Sequence, residues 1–127
     1  MNHLMTFENY VFGREEFVEI TNPVNGCSCV VKAKIDTESY TSNIDAEIAS
    51  HLDLSIQEEP RRVYNQLGDE MLPVSSCNLL FNTGDSKGNV LDTEVTISDR
   101  SKLRHKLAIG RKDLERLQVL IDVNKSL

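Results

Sequence analysis

The sequence predicts a mainly β fold, a closed barrel or a sandwich, with one or two short helices. Short apolar segments that alternate with polar residues recur at even spacing, as in Val31, Ala33 and Ile35. Turn-forming pairs such as Asn25-Gly26 separate these segments. Only two stretches show helical spacing, and both are short. Many short strands at even spacing are typical of closed or sandwich-like β architectures.

The strands are assigned from this alternation and from the turn residues that bound it. Pro73 interrupts the longest run, which suggests a sheet edge or a strand start because proline lacks a backbone N–H. Residues 82–89 form a strong turn signal between two runs. The predicted strands are residues 17–20, 29–35, 62–65, 71–81, a run around Val95 and Ile97, 107–109, and 119–123.

Two short helices are predicted between these strands. Ser42 stands three residues before Asp45, a pattern typical of a capped helix start, and apolar residues follow at helical spacing. We interpret this apolar stripe as core packing. The second helix covers residues 111–117, with Asp113 in its first turn, where a carboxylate suits the helix dipole.

Length and composition indicate one domain over residues 1–127, with a core that needs no disulfides. A net charge of −6 argues against sequence-independent nucleic-acid binding, and no apolar run reaches the roughly 20 residues that span a bilayer. The start of the chain lacks a secretory-signal pattern, so we expect a cytoplasmic protein, free or within a larger protein particle. Residues 99–106 are basic. We interpret them as a solvated connection, with steering of an acidic partner as the alternative.

The sequence indicates no metal site and no cofactor. Cys27 and Cys29 form a single close pair, Cys77 lies far away, and the three histidines are scattered. Zinc sites usually show ligand pairs at tight spacing. The odd cysteine count favours reduced thiols. The glycine-containing turn at residues 82–89 lacks the lysine-serine pattern and following helix of a phosphate loop, so nucleotide binding is not expected.

The strand at residues 29–35 leads into a polar loop that begins with Asp36-Thr37-Glu38-Ser39. A rigid strand that ends in a carboxylate and a hydroxyl is a means of aiming an acid at a reacting group. The alternative is an ordinary polar turn, since aspartate and serine are common turn residues.

An ordered set of motifs resembles the retropepsin-like aspartic proteases, and within them most closely the ATP-dependent zinc protease family of small bacterial proteins. The set covers nearly the whole chain. Its members are residues 12–18, the run from Val31 through Asp36-Thr37 and Thr41-Ser42 to Ala46, residues 93–101, the Ile109-Gly110-Arg111-x-Asp113-Leu114 segment, and residues 119–126.

The resemblance implies a small closed six-stranded barrel that works as a homodimer on a peptide or protein substrate, each copy bringing one catalytic aspartate. It implies that Asp36 is that aspartate and that Thr37 hydrogen-bonds across the two subunits. Thr41 and Ser42 would support the loop, and residues 109–111 (Ile109, Gly110, Arg111) would pack beneath it. Residues 65–70 would form a flap, with Gly68 as its glycine, and the terminal strands would build the dimer sheet.

Two departures from the family pattern concern the chemistry. The family has Asp-Thr-Gly, whereas this chain has glutamate at position 38, which places a side chain and a charge beside the expected carboxylate pair. Glu38 could instead serve as a second carboxylate near Asp36. The zinc-protease-like relatives carry a histidine after Thr-Ser, where this chain has Asn43-Ile44-Asp45.

Two functions therefore stay open at the level of the sequence. One is a dimeric aspartic endopeptidase, fully active or weakened by Glu38. The other is a non-catalytic structural or interaction subunit of a larger assembly that keeps the protease-like shell. The sequence identifies neither the substrate nor the partner. We expect metal analysis of the purified protein to find none bound.

Overall fold

The computed structural model describes residues 11–65, 68–81 and 89–125, and these form ten short strands and two short helices. The strands are β1 (Val11–Phe12), β2 (Glu15–Thr21), β3 (Ser28–Ile35), β4 (Ser42–Asp45), β5 (Arg61–Asn65), β6 (Gly68–Leu72), β7 (Val74–Phe81), β8 (Asn89–Ser98), β9 (Leu107–Ile109) and β10 (Leu120–Ile121). The helices are α1 (Ala46–His51) and α2 (Arg111–Leu117). The predicted turn at residues 82–89 lies almost entirely outside the described residues.

Six strands close into a barrel in the order β2-β3-β9-β4-β8-β7. The pairs β3–β9 and β4–β8 are parallel, and the other four pairs are antiparallel. Closure leaves no unpaired edge in this sheet. The sequence prediction of a mainly β, closed six-stranded barrel with short helices is confirmed.

The alternation in the sequence follows from this closure, because successive side chains on a barrel strand face inward and outward in turn. Val18 and Ile20 of β2 are fully buried, whereas Phe17 of the same strand is 44% exposed. At one end of the core, the rings of Phe12 and Phe81 stack with centroids 5.2 Å apart. The barrel core is therefore continuous with the terminal segment that carries Phe12.

The start of the first helix differs from the prediction. Ser42 does not cap a helix, because residues 42–45 pair in parallel with β8 as strand β4. The helix begins at Ala46 with Asp45 as its N-cap residue, and the Asp45 side chain accepts a hydrogen bond from the backbone N–H of Arg100 instead of capping the helix. Ile44 is fully buried as a residue of strand β4 and not as part of an apolar helix face.

The two ends of the described chain pair with each other. Strand β10 is shorter than predicted and runs parallel to β1, with Val11 opposite Leu120. The ammonium of Lys125 donates to the carboxylate of Glu16 at 2.7 Å and to the backbone oxygen of Val11 at 2.8 Å. Glu16 is only 3% exposed, and it also accepts the backbone N–H of Gly13 at 2.7 Å. This partly buried ion pair fixes the terminal sheet to the barrel.

Candidate active site

Asp36 follows directly on strand β3, at the point where the barrel strand ends. Its backbone N–H donates to the oxygen of Ile109 at 2.9 Å, which extends the β3–β9 pairing into the loop. Its Oδ1 accepts the backbone N–H of Glu38 at 3.1 Å, and its Oδ2 lies 3.9 Å from Nζ of Lys34. The side chain is 21% exposed. Asp36 is thus a carboxylate held in one orientation yet still accessible.

The segment after β9 holds the loop from its other side. The backbone N–H of Arg111 donates to the oxygen of Ser39 at 2.8 Å, and that of Lys112 donates to the oxygen of Tyr40 at 2.9 Å. A Cβ placed on Gly110 would lie 2.6 Å from backbone atoms of Thr41 and Tyr40. A glycine at this position is what allows the two segments to approach so closely.

A buried polar network lies beneath this contact and is centred on Asp113, which is fully buried. Its two carboxylate oxygens accept the hydroxyls of Ser42 and Thr93, each at 2.6 Å. The Ser42 hydroxyl in turn accepts the backbone N–H of Gly110 at 3.0 Å. The guanidinium of Arg116 lies 3.4 Å from Asp113. The network joins β4, β8 and the start of α2.

Sequence reasoning placed Asp113 at a helix start and missed this role. The signal was available in part, since Ser42, Gly110 and Asp113 all belong to the motifs that resemble the retropepsin-like proteins. Thr93 carried no such signal, because a threonine that alternates along a strand is ordinary.

The other predicted loop residues occupy the surface of the same site. Thr37 is exposed, and its backbone oxygen accepts the Nη1 of Arg111 at 3.1 Å. Arg111 also lies over the ring of Tyr40, 5.6 Å from its centroid. Thr41 is buried, and its backbone oxygen accepts the hydroxyl of Ser39 at 3.1 Å. The structure therefore brings the predicted loop residues and the Ile109–Arg111 segment together.

Glu38 fits into the loop without backbone strain. In the described residues the only non-glycine residues with positive φ are Asp53 and Gln118, so position 38 does not need a glycine conformation. The Glu38 side chain is exposed and lines a cleft that Asp36 does not line. Glu38 and Asp36 therefore do not line this cleft together.

This cleft, here called the hairpin cleft, lies between loop residues 38–41 and the strand β5, and has a volume of about 580 Å³. Strands β5 and β6 form an antiparallel hairpin separate from the barrel, at the place expected for a flap. The tip, residues 66–67, lies outside the described residues.

The base of the hairpin is fixed to the barrel. The guanidinium of Arg61 donates to the carboxylate of Glu94 on β8 at 2.6 Å, and the side-chain amide of Gln57 donates to the same carboxylate at 3.0 Å. These two hydrogen bonds hold the pKa of Glu94 below its ordinary value. The base of strand β5, which forms one wall of the hairpin cleft, is thereby fixed to the barrel that carries the loop.

Residues 11–65, 68–81 and 89–125 contain no cluster of three or more histidine, cysteine, aspartate or glutamate side chains that could hold a metal ion. No helix within those ranges is long and apolar enough to cross a membrane. Cys27, Cys29 and Cys77 are free thiols.

The chain is similar to several solved structures at low sequence identity. A protein of unknown function (DUF785) from Legionella pneumophila is 18% identical, with a TM-score of 0.57 over 94% of this chain and 97% of that one. EIAV protease in complex with the inhibitor HBY-793 is 15% identical, with a TM-score of 0.59 over 83% and 88%. The retroviral protease-like domain of Ddi1 from Leishmania major is 17% identical, with a TM-score of 0.45 over 82% and 76%. No protein-family model and no curated protein matches the chain.

These likenesses show the fold. The chain has a retropepsin-like fold, as its closed barrel and its likeness to a retroviral protease show. At such identities the comparisons concern architecture, and the chemistry has to be argued from the residues of this site.

Proposed function

We propose that the chain is an aspartic peptidase that acts as a homodimer, with Asp36 of each copy as the catalytic carboxylate. The observation that carries this proposal is the position of Asp36. It is an accessible carboxylate at the end of a barrel strand. Its carboxylate accepts the backbone N–H of Glu38, and its own backbone N–H donates to the oxygen of Ile109, so the loop around it is fixed. Rigid support of this kind is what a catalytic group requires.

The chemistry needs two such carboxylates. Two aspartates about 3 Å apart cannot both ionise, so they share one proton. One then takes a proton from the attacking water while the other donates a proton to the peptide carbonyl. Asp36 is the one aspartate of the loop, and in this proposal the second carboxylate is Asp36 of another copy of the chain.

The terminal sheet supports a dimer. Among the described residues, strands β1 and β10 pair with each other and with no third strand, so each has an edge without a strand partner there. Leu120, Ile121 and Val123 are 60%, 38% and 54% exposed. Unpaired edges beside exposed apolar side chains favour association with a second chain.

The peptidase proposal is tested by incubating the full chain with a proteome-derived peptide library and identifying new termini by mass spectrometry. We expect cleavage at acidic to neutral pH, abolished in Asp36→Asn. Asp99→Asn is the matched control, because Asp99 is an exposed aspartate whose Oδ1, like that of Asp36, accepts the backbone N–H two residues on. Cleavage that persists in Asp36→Asn would refute the proposal.

The dimer is tested by mixing active chain with an excess of Asp36→Asn. If each active site needs two Asp36 carboxylates, exchange into mixed dimers reduces the activity per active chain, and dilution reduces it more than in proportion. A specific activity that is independent of both would show that one chain is sufficient.

A second candidate is favoured by Glu38. If its carboxylate crowds the axis where two loops meet, the protein binds a peptide or protein partner without cleaving it. This candidate predicts an inactive wild type and an Asp36-dependent gain of cleavage in Glu38→Gly. Equal cleavage by wild type and Glu38→Gly would refute it.

The finer resemblance to ATP-dependent zinc proteases contributes no step to this mechanism. The described residues offer no set of side chains that fits a zinc ion. The cytoplasmic location, free or in a larger particle, also stays a prediction.

A further inference from the structure

We propose that the polypeptide bound at this site is acidic, with aspartate or glutamate side chains on both sides of the bond that faces Asp36. This inference rests on peptide binding at the site, as proposed above, and it adds the chemical class of the substrate. It comes from the charges that line two pockets, one on each side of the Asp36 loop.

The first pocket is the hairpin cleft. Its described cationic lining residues are Arg61, Arg62, Arg111 and Lys112, and its described acidic lining residue is Glu38. Arg61 is neutralised by Glu94, as described above. The other three cations exceed the single acid, so the cleft keeps a positive charge.

The second pocket, here called the side pocket, has a volume of about 520 Å³ and is lined by Ile35, the residue before Asp36. Its cationic lining residues are Arg14, Lys34 and Arg104. Its acid, Glu15, is engaged by the His105 ring at 2.5 Å and lies 3.9 Å from Arg104. Lys34 lies 3.9 Å from the carboxylate of Asp36, which offsets its charge. Arg14 then exceeds the acids that oppose the other two cations. This pocket is also positive in balance.

The two pockets differ sharply from the rest of the molecule. The chain has a net charge of −6, with 14 lysines and arginines against 20 aspartates and glutamates. Seven of those 14 cations line the two pockets, together with two of the 20 acids, counted over the described lining residues. The minority charge is therefore concentrated in the two pockets, and this distribution favours a ligand of opposite charge.

A short acidic peptide suits this distribution better than a nucleic acid. Arginine and lysine side chains bind carboxylates through charge-assisted hydrogen bonds. A polynucleotide would extend beyond the pockets over a surface that is acidic in balance and would be repelled there. The two pockets therefore fit a local cluster of carboxylates.

The test measures binding by fluorescence anisotropy with the full-length Asp36→Asn chain, so that no cleavage is needed. Two labelled decapeptides are compared, one with four glutamates and one with glutamines in their place. We expect the acidic peptide to bind about tenfold more tightly or better at low salt, since hydrogen bonds to charged groups are worth that much. The preference should shrink as salt screens the charges.

Charge reversal locates the effect. The double variant Arg62→Glu with Lys112→Glu should lose about tenfold in affinity for the acidic peptide and little for the glutamine peptide. Lys102→Glu is the control, because Lys102 is exposed and lines neither pocket. Thermal unfolding confirms that each variant is folded, and Arg62→Lys should keep the preference.

Each result bears on one proposal. Equal binding of the two peptides, or an equal effect of Lys102→Glu, would overturn the acidic assignment. Tighter binding of a ten-nucleotide single-stranded RNA than of the acidic peptide would overturn it in favour of nucleic acid. Acidic selectivity without cleavage by the wild type refutes the peptidase and leaves this inference standing. Cleavage of neutral peptides without acidic preference supports the peptidase and overturns the acidic assignment.

Discussion

Replacing Asp113 by alanine should destabilise the protein more than any exposed substitution, because Asp113 is the shared acceptor of the buried network. The substitution leaves the hydroxyls of Ser42 and Thr93 without their carboxylate partners, which lie 2.6 Å away. It also removes the 3.4 Å contact to Arg116.

The size of the effect follows from these contacts. Each hydrogen bond to a charged acceptor contributes about 1.5–3 kcal/mol, and the half-exposed Arg116 pair adds at most about 1 kcal/mol. Two offsets lower the total, since alanine avoids the cost of burying a carboxylate and the Ser42 hydroxyl keeps the Gly110 N–H. We expect a loss of about 3 kcal/mol, which is a large part of the 5–15 kcal/mol typical of a domain.

Urea unfolding followed by circular dichroism measures this loss from the midpoint at constant slope. Asp113→Asn should cost about half as much, because the amide keeps one acceptor oxygen for a hydroxyl. Asp92→Ala, at an exposed aspartate on the neighbouring strand, is the control and should stay within about 0.5 kcal/mol of wild type. A cost below about 1 kcal/mol for Asp113→Ala would refute the idea that the network holds the loop support in place.

Three further predictions concern individual groups. Gly110→Ala places a Cβ 2.6 Å from backbone atoms of the loop and should lower the free energy of unfolding in urea by about 1–3 kcal/mol. An unchanged unfolding midpoint would contradict the close approach of the two segments. The hydrogen bond from His105 lowers the pKa of Glu15 from its ordinary value of 4.5, so the stabilisation that this bond provides is complete above pH 4.5 and is lost as the pH falls through the lowered pKa. His105→Ala should therefore destabilise the protein near pH 6, and the loss should shrink in a series of falling pH below 4.5. A loss that stays constant over the whole series would contradict this. Burial raises the pKa of Cys77 to about 12. At pH 8 a thiol reagent should therefore label exposed Cys27 first and Cys77 only after unfolding. Rapid labelling of Cys77 in the folded protein would contradict its burial.

The barrel could be predicted from the sequence because its signals are local. Alternation along β2, β3 and β8 indicates which faces are buried. The order of the motifs around Asp36 and Gly110 indicates a barrel of the retropepsin-like kind. The predicted position of Asp36 at the end of β3 and the pairing of its loop with the Ile109–Arg111 segment agree with the structure.

Other features depend on partners that are distant in sequence. Ser42–Asp45 resembles a helix start, but pairing with both β8 and β9 outweighs that local preference. The buried role of Asp113 depends on Thr93, twenty residues away on another strand. The two basic pockets combine residues from six separate segments, so no window of the sequence shows the charge balance that they share.

Glu38 bears on the assembly more than on the fold. The loop is held by backbone groups of residues 109–112 and by Asp36 itself, and no described residue hydrogen-bonds the Glu38 carboxylate. A single subunit therefore tolerates glutamate where the family has glycine, because its conformation there does not need glycine. In the proposed dimer, Glu38 would be crowded where the two loops face each other. For this reason fold stability should be nearly equal in wild type and Glu38→Gly, while dimer affinity and Asp36-dependent cleavage should change, and those two measurements separate a peptidase from a binding module.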